Sequence, residues 1–307
     1  MDLVVGGCGY IGSGLVHNLL DLGREVIVCD NHSTGFRNSI PKEVKFTNRN
    51  KNNLSRLFAT HEIDTVYDLA ERSSVKESVE HPEYYLIGNV SDTTGLIRTC
   101  MDFKVKNYVY SSSAAVYGNN LICSEETVKN PINPYGVAKS YIEEVLKYSG
   151  LNYYILRYFN ACGADKDGRY GERHNPETHL IPNVVRSALK KEPINIFGND
   201  FDTVDGTCVR DYIHIDDINQ FSIDVQKQKS GIYNLGSGIG FSNKQIVEEV
   251  SRILGYSLDV NYLPRREGDP DKLVANISKS KSIGFKPSFN LTDILKGVIN
   301  YESSKIL

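Results

Sequence analysis

No apolar run in the 307-residue chain reaches the roughly 18 residues that a membrane-spanning helix needs. The N-terminus, Met1-Asp2, has no basic stretch of the kind that opens a secretory leader. Positive charge is not in excess: 35 Lys+Arg against 38 Asp+Glu leave -3, which argues against an extended nucleic-acid surface. The six cysteines, Cys8, Cys29, Cys100, Cys123, Cys162 and Cys208, include no CxxC pair, so neither a disulfide framework nor a zinc site is expected. Internal repeats and low-complexity linkers are missing too. The expectation is a soluble, cytoplasmic protein with no membrane or nucleic-acid partner. At 40% hydrophobic and 24% charged, it has enough chain for one large domain or two ordinary ones.

The first half alternates short β-branched runs with longer helical patterns. Leu3–Val5, Glu25–Cys29, Thr65–Leu69, Tyr108–Ser111 and Tyr153–Leu156 read as buried strands. Helices are expected at 10–22, 53–60, 83–102 and 134–149, the last with Pro134 in its first turn and Gly150 as its stop. Such alternation predicts an α/β fold, a Rossmann-like doubly wound parallel sheet. After about residue 165 the sequence becomes polar and turn-rich, with helices expected at 179–190, 216–227, 242–254 and 290–302. The division predicted is a cofactor-binding domain over 1–165 and a smaller, mainly substrate-binding α/β lobe over 166–307. A segment near 212–238 is expected to return to the first sheet.

The chain opens strand–GGCGYIG–helix, with Gly6, Gly9 and Gly12 at G-x-x-G-x-x-G spacing. Glycines there allow a tight turn and let a diphosphate approach the free N–H groups of a helix N-terminus. Asp30, eighteen residues past Gly12 and ending the next strand, stands where a carboxylate binds an adenosine ribose. A carboxylate would repel a 2′-phosphate, which favours NAD over NADP.

Two Tyr-x-x-x-Lys pairs occur, Tyr135/Lys139 and Tyr301/Lys305. At i,i+4 the two side chains share a helix face, so the ammonium can stabilise a phenolate and make it a general base. Only Tyr135 follows a strand ending YSSSAAVYG, which supplies Ser111, Ser112 and Ser113; Tyr301 reads as a solvated helix end. The segment GERHNPETH offers Glu172, His174, Glu177 and His179, but not the His-x-x-x-His spacing of a helical zinc site, so no metal is expected.

Ten pieces in order make a specific resemblance: GGCGYIGS, DNHSTG, YSSSAAVYG, NPYGVAKSYIE, LRYFNACGA, GERHNPETHLIP, IFGND, DGTCVRDYIHIDD, YNLGSG and RREGDPDKLVA. The chain resembles, over nearly its full length, the UDP-glucose 4-epimerases of the extended short-chain dehydrogenase/reductase family. The resemblance implies catalysis by Ser113, Tyr135 and Lys139. It implies NAD contacts from Gly6, Gly9, Tyr10, Ile11, Gly12, Asp30, Asn31, Leu69, Ala70, Asn89, Ser111, Tyr135, Lys139 and Tyr158. A UDP-sugar would meet Ser113, Asn160, His179, Leu180, Asn195, Phe197, Arg210, Tyr212, Arg266 and Asp269. A homodimer built on helices 83–102 and 134–149 is implied by the family alone. Leucine at 273, where bulk tends to exclude 2-N-acetyl sugars, leans towards UDP-glucose and UDP-galactose. Relatives acting on N-acetyl or uronic sugars, a dehydratase and a catalytically idle NAD-binding protein are the alternatives. The dehydratase reading suffers because Ala114-Ala115 stands where an acid pair is needed.

Two places depart from the family. FTNRNKN replaces a segment whose acid meets the adenine, and Asp68-Leu69-Ala70-Glu71 replaces His-Leu-Ala-Ala. A Glu71 charge about 5 Å from the diphosphate would cost about 3 kcal/mol at an effective dielectric near 20, weakening NAD retention unless Arg72 offset it. Gly14, where histidine is common, is a milder departure.

Overall fold

Short β-branched and aromatic runs between turn residues build a seven-stranded sheet in the computed structural model, which describes residues 1–120, 123–266 and 269–305. The first half supplies β1 (Asp2–Val5), β2 (Val26–Cys29), β3 (Lys45–Thr47), β4 (Thr65–Asp68), β5 (Asn107–Ser113) and β6 (Asn152–Tyr158). Helices α1 (Tyr10–Asp21), α2 (Ser55–Thr60), α3 (Val75–Glu80), α4 (Val90–Asp102) and α5 (Pro134–Lys147) run between them. The second half adds β7 (Asn160–Cys162), α6 (Leu180–Lys190), β8 (Ile194–Phe197), β9 (Val209–His214), α7 (Ile215–Asp224) and β10 (Gly231–Leu235). It ends with β11 (Gly240–Ser242), α8 (Asn243–Leu254), β12 (Val260–Leu263), β13 (Lys272–Leu273), α9 (Ser278–Ser282) and α10 (Leu291–Ser303).

The sheet order is β3-β2-β1-β4-β5-β6-β10, and every neighbouring pair is parallel. Chain order reverses between β1 and β4, which opens a crevice beyond their carboxyl ends; ligands bind at such a switch point. Residues alternate between the two faces of each strand. Val4 and Val28 join Leu15, Leu19 and Phe221 in one core; Leu3, Val5 and Ile27 join Leu54, Leu96 and Ile142 in the other. Burial on both faces explains why these strands read as unbroken apolar runs.

The later segments form smaller sheets, β11-β9-β13 with β7 alongside β9, and the pair β12-β8. An apolar cluster of Ile181, Val184, Val185, Ile196, Ile246, Val250 and Leu295 holds α6, α8 and α10 around them. The expected helix at 83–102 is one helical stretch whose first turn, Tyr84–Asn89, is wound wider as a π-helix. α3, just before it, was not foreseen; Pro82, which cannot donate a backbone hydrogen bond, separates the two. The short strands β8, β9 and β11–β13, of two to six residues, are not among the strands expected from the sequence.

Candidate active site

The loop from β1 into α1 is shaped by what it cannot hold. A Cβ on Gly12 would lie 2.2 Å from the Gly6 carbonyl oxygen, and one on Gly6, at φ +82°, would lie 2.8 Å from the Ala70 nitrogen. Gly9 caps α1 with no side-chain hydrogen bond, and the first turn carries no acid. The leading N–H groups of Tyr10 and Ile11 therefore lack helical acceptors, as a bound diphosphate requires. Tyr10 donates its hydroxyl to the Gly163 carbonyl at 2.6 Å, tying this helix end to the chain after β7. Asp30 is buried beyond β2, accepting from Cys8 N at 2.9 Å and His32 N at 2.8 Å, with a further lone pair left on each oxygen. The uncapped helix end, the glycine clearance and this carboxylate fit a dinucleotide.

Ser113, Tyr135 and Lys139 meet where β5 ends. Ser113 closes the strand and caps a 3-10 turn, accepting from Ala115 N at 3.1 Å. Asn133 caps α5 by accepting from Gly136 N at 2.8 Å, and Pro134 fills the first turn, so Tyr135 leaves the helix at its start. A Cβ on Gly136 would sit 2.6 Å from the Ala115 carbonyl oxygen, so glycine lets α5 lie against that turn. One turn on, Lys139 donates to the Ser111 carbonyl at 2.5 Å, with its Nζ 5.6 Å from the Tyr135 ring centre and 4.8 Å from that of Tyr110. Ser111 donates to the Asp68 carbonyl at 2.9 Å. Buried Tyr158 ends β6 directly opposite Ser113, and burial pushes its phenol up to about 12.

Behind Lys139 lies a buried chain of charge. Its Nζ is 2.9 Å from Glu71, and both side chains are 4% exposed. Glu71 also accepts from Thr93 at 3.0 Å and lies 3.6 Å from Lys51. Lys51 bonds both Asp68 oxygens at 3.0 Å, and Tyr108 donates to Asp68 at 2.7 Å. Burial opposes the Glu71 charge, but Lys139 and Lys51 more than offset it and hold its carboxyl below the usual range. Burial likewise opposes the Lys139 charge, and Glu71 reverses the balance, holding the ammonium above its usual range.

The other residues expected to meet a UDP-sugar lie in the second half. Arg210, on β9, donates to the carbonyls of Val209 at 3.0 Å and Pro270 at 2.8 Å, and lies 3.4 Å from Asp269. Arg266 stacks 3.9 Å over the Phe197 ring. Asn195 and Phe197 lie on β8, and Asn160 starts β7, donating to the Asp211 carbonyl at 3.0 Å. Tyr212 is buried on β9, and burial raises its phenol. His179 and Leu180 stand at the start of α6. Leu273 pairs in register with Arg210. Glu267 and Gly268 of the RREGD motif lie outside the described residues.

Residues 3–236 match the NAD dependent epimerase/dehydratase family. The chain belongs to this family. A UDP-glucose 4-epimerase of Lactobacillus helveticus is 41% identical over 95% of this chain and 94% of its own length. Among solved structures, the UDP-glucose 4-epimerase of Brucella ovis in complex with NAD is 37% identical, with a TM-score of 0.90 over 98% of this chain and 97% of that one. The UDP-glucose 4-epimerase of Bifidobacterium longum in complex with NAD+ and UDP is 32% identical, with a TM-score of 0.93 over 99% and 98%. NAD is thus the family's cofactor, and the glycine turn and Asp30 are the residues here that fit it.

Within the family frame, some expectations change. Glu71 is not an unpaired charge: two lysines neutralise it, so the anticipated repulsion of the diphosphate loses its basis. Arg72 takes no part, because it pairs with Glu77 at 3.1 Å and stacks on Tyr84. Lys51, inside the FTNRNKN departure, is the compensating cation, so the two departures are halves of one arrangement. Gly14 sits where α1 meets α7; a Cβ there would fall 2.6 Å from the Asn219 amide nitrogen. Tyr301 is no solvated helix end, since its ring packs where a Cβ on Gly171 would be, 2.4 Å away. Two assigned cofactor contacts have internal partners: buried Asn89 bridges the Arg72 backbone, and Asn31 donates to Asn50 at 2.9 Å. Roles for Lys51, Asp68 and Thr93 were not foreseen; a charged residue closing a fully buried strand, as Asp68 does, was the available signal.

Proposed function

We propose that this protein inverts the 4-position of a UDP-hexose, interconverting UDP-glucose and UDP-galactose with NAD. The observation that carries this reading is Lys139, anchored on the Ser111 carbonyl beside Tyr135, with Ser113 at the end of the same strand and the glycine turn across the crevice. Bound NAD would accept a hydride from the sugar C4 and return it. Tyr135 takes the proton of the 4-hydroxyl, and the nearby ammonium of Lys139 stabilises the phenolate. Ser113 hydrogen-bonds the reacting oxygen and relays its proton. The 4-keto sugar then turns over and exposes its other face, while Arg210, Arg266, Asp269 and Asn160 keep the nucleotide in place.

Gly6, Gly9, Tyr10, Ile11 and Gly12 would cradle the diphosphate, and Asp30 would bind the adenosine ribose. Residues 1–165 thereby serve NAD, with the segment near 212–238 returning to them, and 166–307 mainly serve the sugar nucleotide. We further infer a homodimer through the π-turn, α4 and α5; exposed Leu86, Ile87, Val137 and Tyr141 support it. Six free, buried cysteines support a reducing, cytoplasmic location. Leu273 beside Arg210 supports a preference for sugars without a 2-N-acetyl group. Incubation with UDP-galactose and with UDP-N-acetylgalactosamine, followed by chromatography of the products, tests the reading. UDP-glucose is expected from the first; no product from either would overturn it.

A further inference from the structure

Between β7 and α6 the chain forms an irregular turn that brings Glu172, His174, Glu177 and His179 together. One candidate ligand atom from each lies within 4.8 Å of all the others. His179 Nδ1 is 2.6 Å from Glu172 Oε1 and 3.3 Å from Glu177 Oε1; His174 Nδ1 is 3.1 and 3.8 Å from the same two atoms. Spacing along the sequence argued against a metal because it is wrong for one helix face. The structure places these residues on a turn, where that rule does not apply.

We propose that these four side chains form a structural binding site for a divalent transition metal of the zinc class. Three observations carry it. The donor set is two imidazole nitrogens and two carboxylates, which suits zinc-class ions. The four His–Glu separations bracket the roughly 3.3 Å edge of a tetrahedron with bonds of about 2.0–2.1 Å. Finally, both carboxylates are withdrawn from water, with side chains only 5% exposed, and Glu177 Oε2 is buried with no hydrogen-bond partner. The Arg186 guanidinium lies 3.5 Å from that oxygen. The two buried carboxylates lie against His179 and Arg186, and a divalent ion would take over that compensation from a protonated imidazole, leaving both imidazoles free to ligate through nitrogen.

The site's position says what the metal would do. His174 meets the Tyr10 ring edge-on at 6.2 Å, and Tyr10 is the first residue of the phosphate helix. His179 immediately precedes α6. A metal would clip a segment without regular structure between the dinucleotide turn and the helix that begins at Leu180. It takes no part in the hydride chemistry.

The test uses full-length protein stripped with a chelator and titrated with Co2+, then with Zn2+. Expected are the visible absorption of four-coordinate Co2+, its displacement by Zn2+, and one metal per chain by elemental analysis. His174→Ala, altering a half-exposed side chain, should weaken Zn2+ binding by about tenfold or more, and Glu177→Gln should do the same. A rise in thermal midpoint on adding Zn2+ should be present in the parent protein and lost in both variants. Failure of the parent to bind either ion at micromolar concentration would overturn the proposal. Undiminished binding in the two variants would also do so, placing the metal elsewhere, such as at the Cys8–Asp30–His32 cluster.

Discussion

Lys139 and Arg210 are cations assigned to the two walls of the proposed site, and the protein holds them by different means. Lys139 is 4% exposed and locked between a backbone carbonyl and the buried carboxylate of Glu71, itself braced by Lys51. Arg210 is held by two neutral carbonyls, and its ion-pair partner among the described residues, Asp269, is a third exposed. The first arrangement fixes position through charges that water cannot screen; the second leaves most of the positive charge uncompensated. Where a proton must move between set atoms, rigidity is worth its desolvation penalty. Where a nucleotide must be gripped while its sugar turns, an unspent charge serves better.

Perturbing each wall should therefore do different things. Tyr135→Phe, at the rigid wall, should lower kcat by about a thousandfold with an unchanged circular dichroism spectrum, since it removes the general base alone. Normal turnover of UDP-galactose by this variant would break the mechanism. Beneath Ser113, Arg157 forms a two-bond pair with Glu143 at 2.9 and 2.7 Å, and Ser112 donates to the same carboxylate at 2.6 Å. Arg157→Met should cost about 3–5 kcal/mol in denaturant unfolding, because it strands a buried carboxylate beside a single remaining lysine, Lys129.

Glu71→Ala should cost about 3 kcal/mol, at the lower end of that range, since it strands the buried Lys139 ammonium while Lys51 keeps Asp68 as a partner. Lys51→Met added to it should be sub-additive by about 1 kcal/mol; strict additivity would mean that the charge chain is not coupled. The carboxyl of Glu71 lies below its ordinary 4.5, so its contribution is complete above that value and is lost as pH falls through the lowered one. Glu71→Gln should accordingly flatten the acid side of a plot of thermal midpoint against pH. At the adaptable wall, Arg210→Ala should raise KM for UDP-galactose by about tenfold to a hundredfold while moving stability by about 1 kcal/mol or less. A stability loss as large as that of Arg157→Met would erase the contrast between the walls.

Most of the sheet was legible because its inner strands are buried on both faces and stand as apolar runs that need no partner to be seen; the edge strand β3, a partly exposed Lys-Phe-Thr, was not among them. The glycine turn and Tyr135/Lys139 were legible because their geometry is local, within seven residues in one case and one helical turn in the other. The charge chain was not. Lys51 and Glu71 looked like two unrelated anomalies, one in a polar loop and one misplaced acid, since what makes them complementary is the adjacency of β4 to the loop after β3. That Glu172, His174, Glu177 and His179 converge was not legible either, because their approach depends on how an irregular segment folds and not on any fixed spacing. Strands such as β8 and β13 escaped because two to four residues carry too little period to stand out from the turns around them.

The return of β10 to the edge of the main sheet sets a schedule for synthesis. Tyr158, at the end of β6, is made 77 residues before Leu235 completes β10. At about 5–20 residues per second that interval lasts roughly 4 to 15 seconds. Throughout it, a strand reading Asn-Tyr-Tyr-Ile-Leu-Arg-Tyr presents an unpaired edge on the nascent chain. A ribosome stalled between these two points would therefore hold a nearly finished sheet at its most adhesive, and a chaperone that recognises exposed strand edges would find its target there.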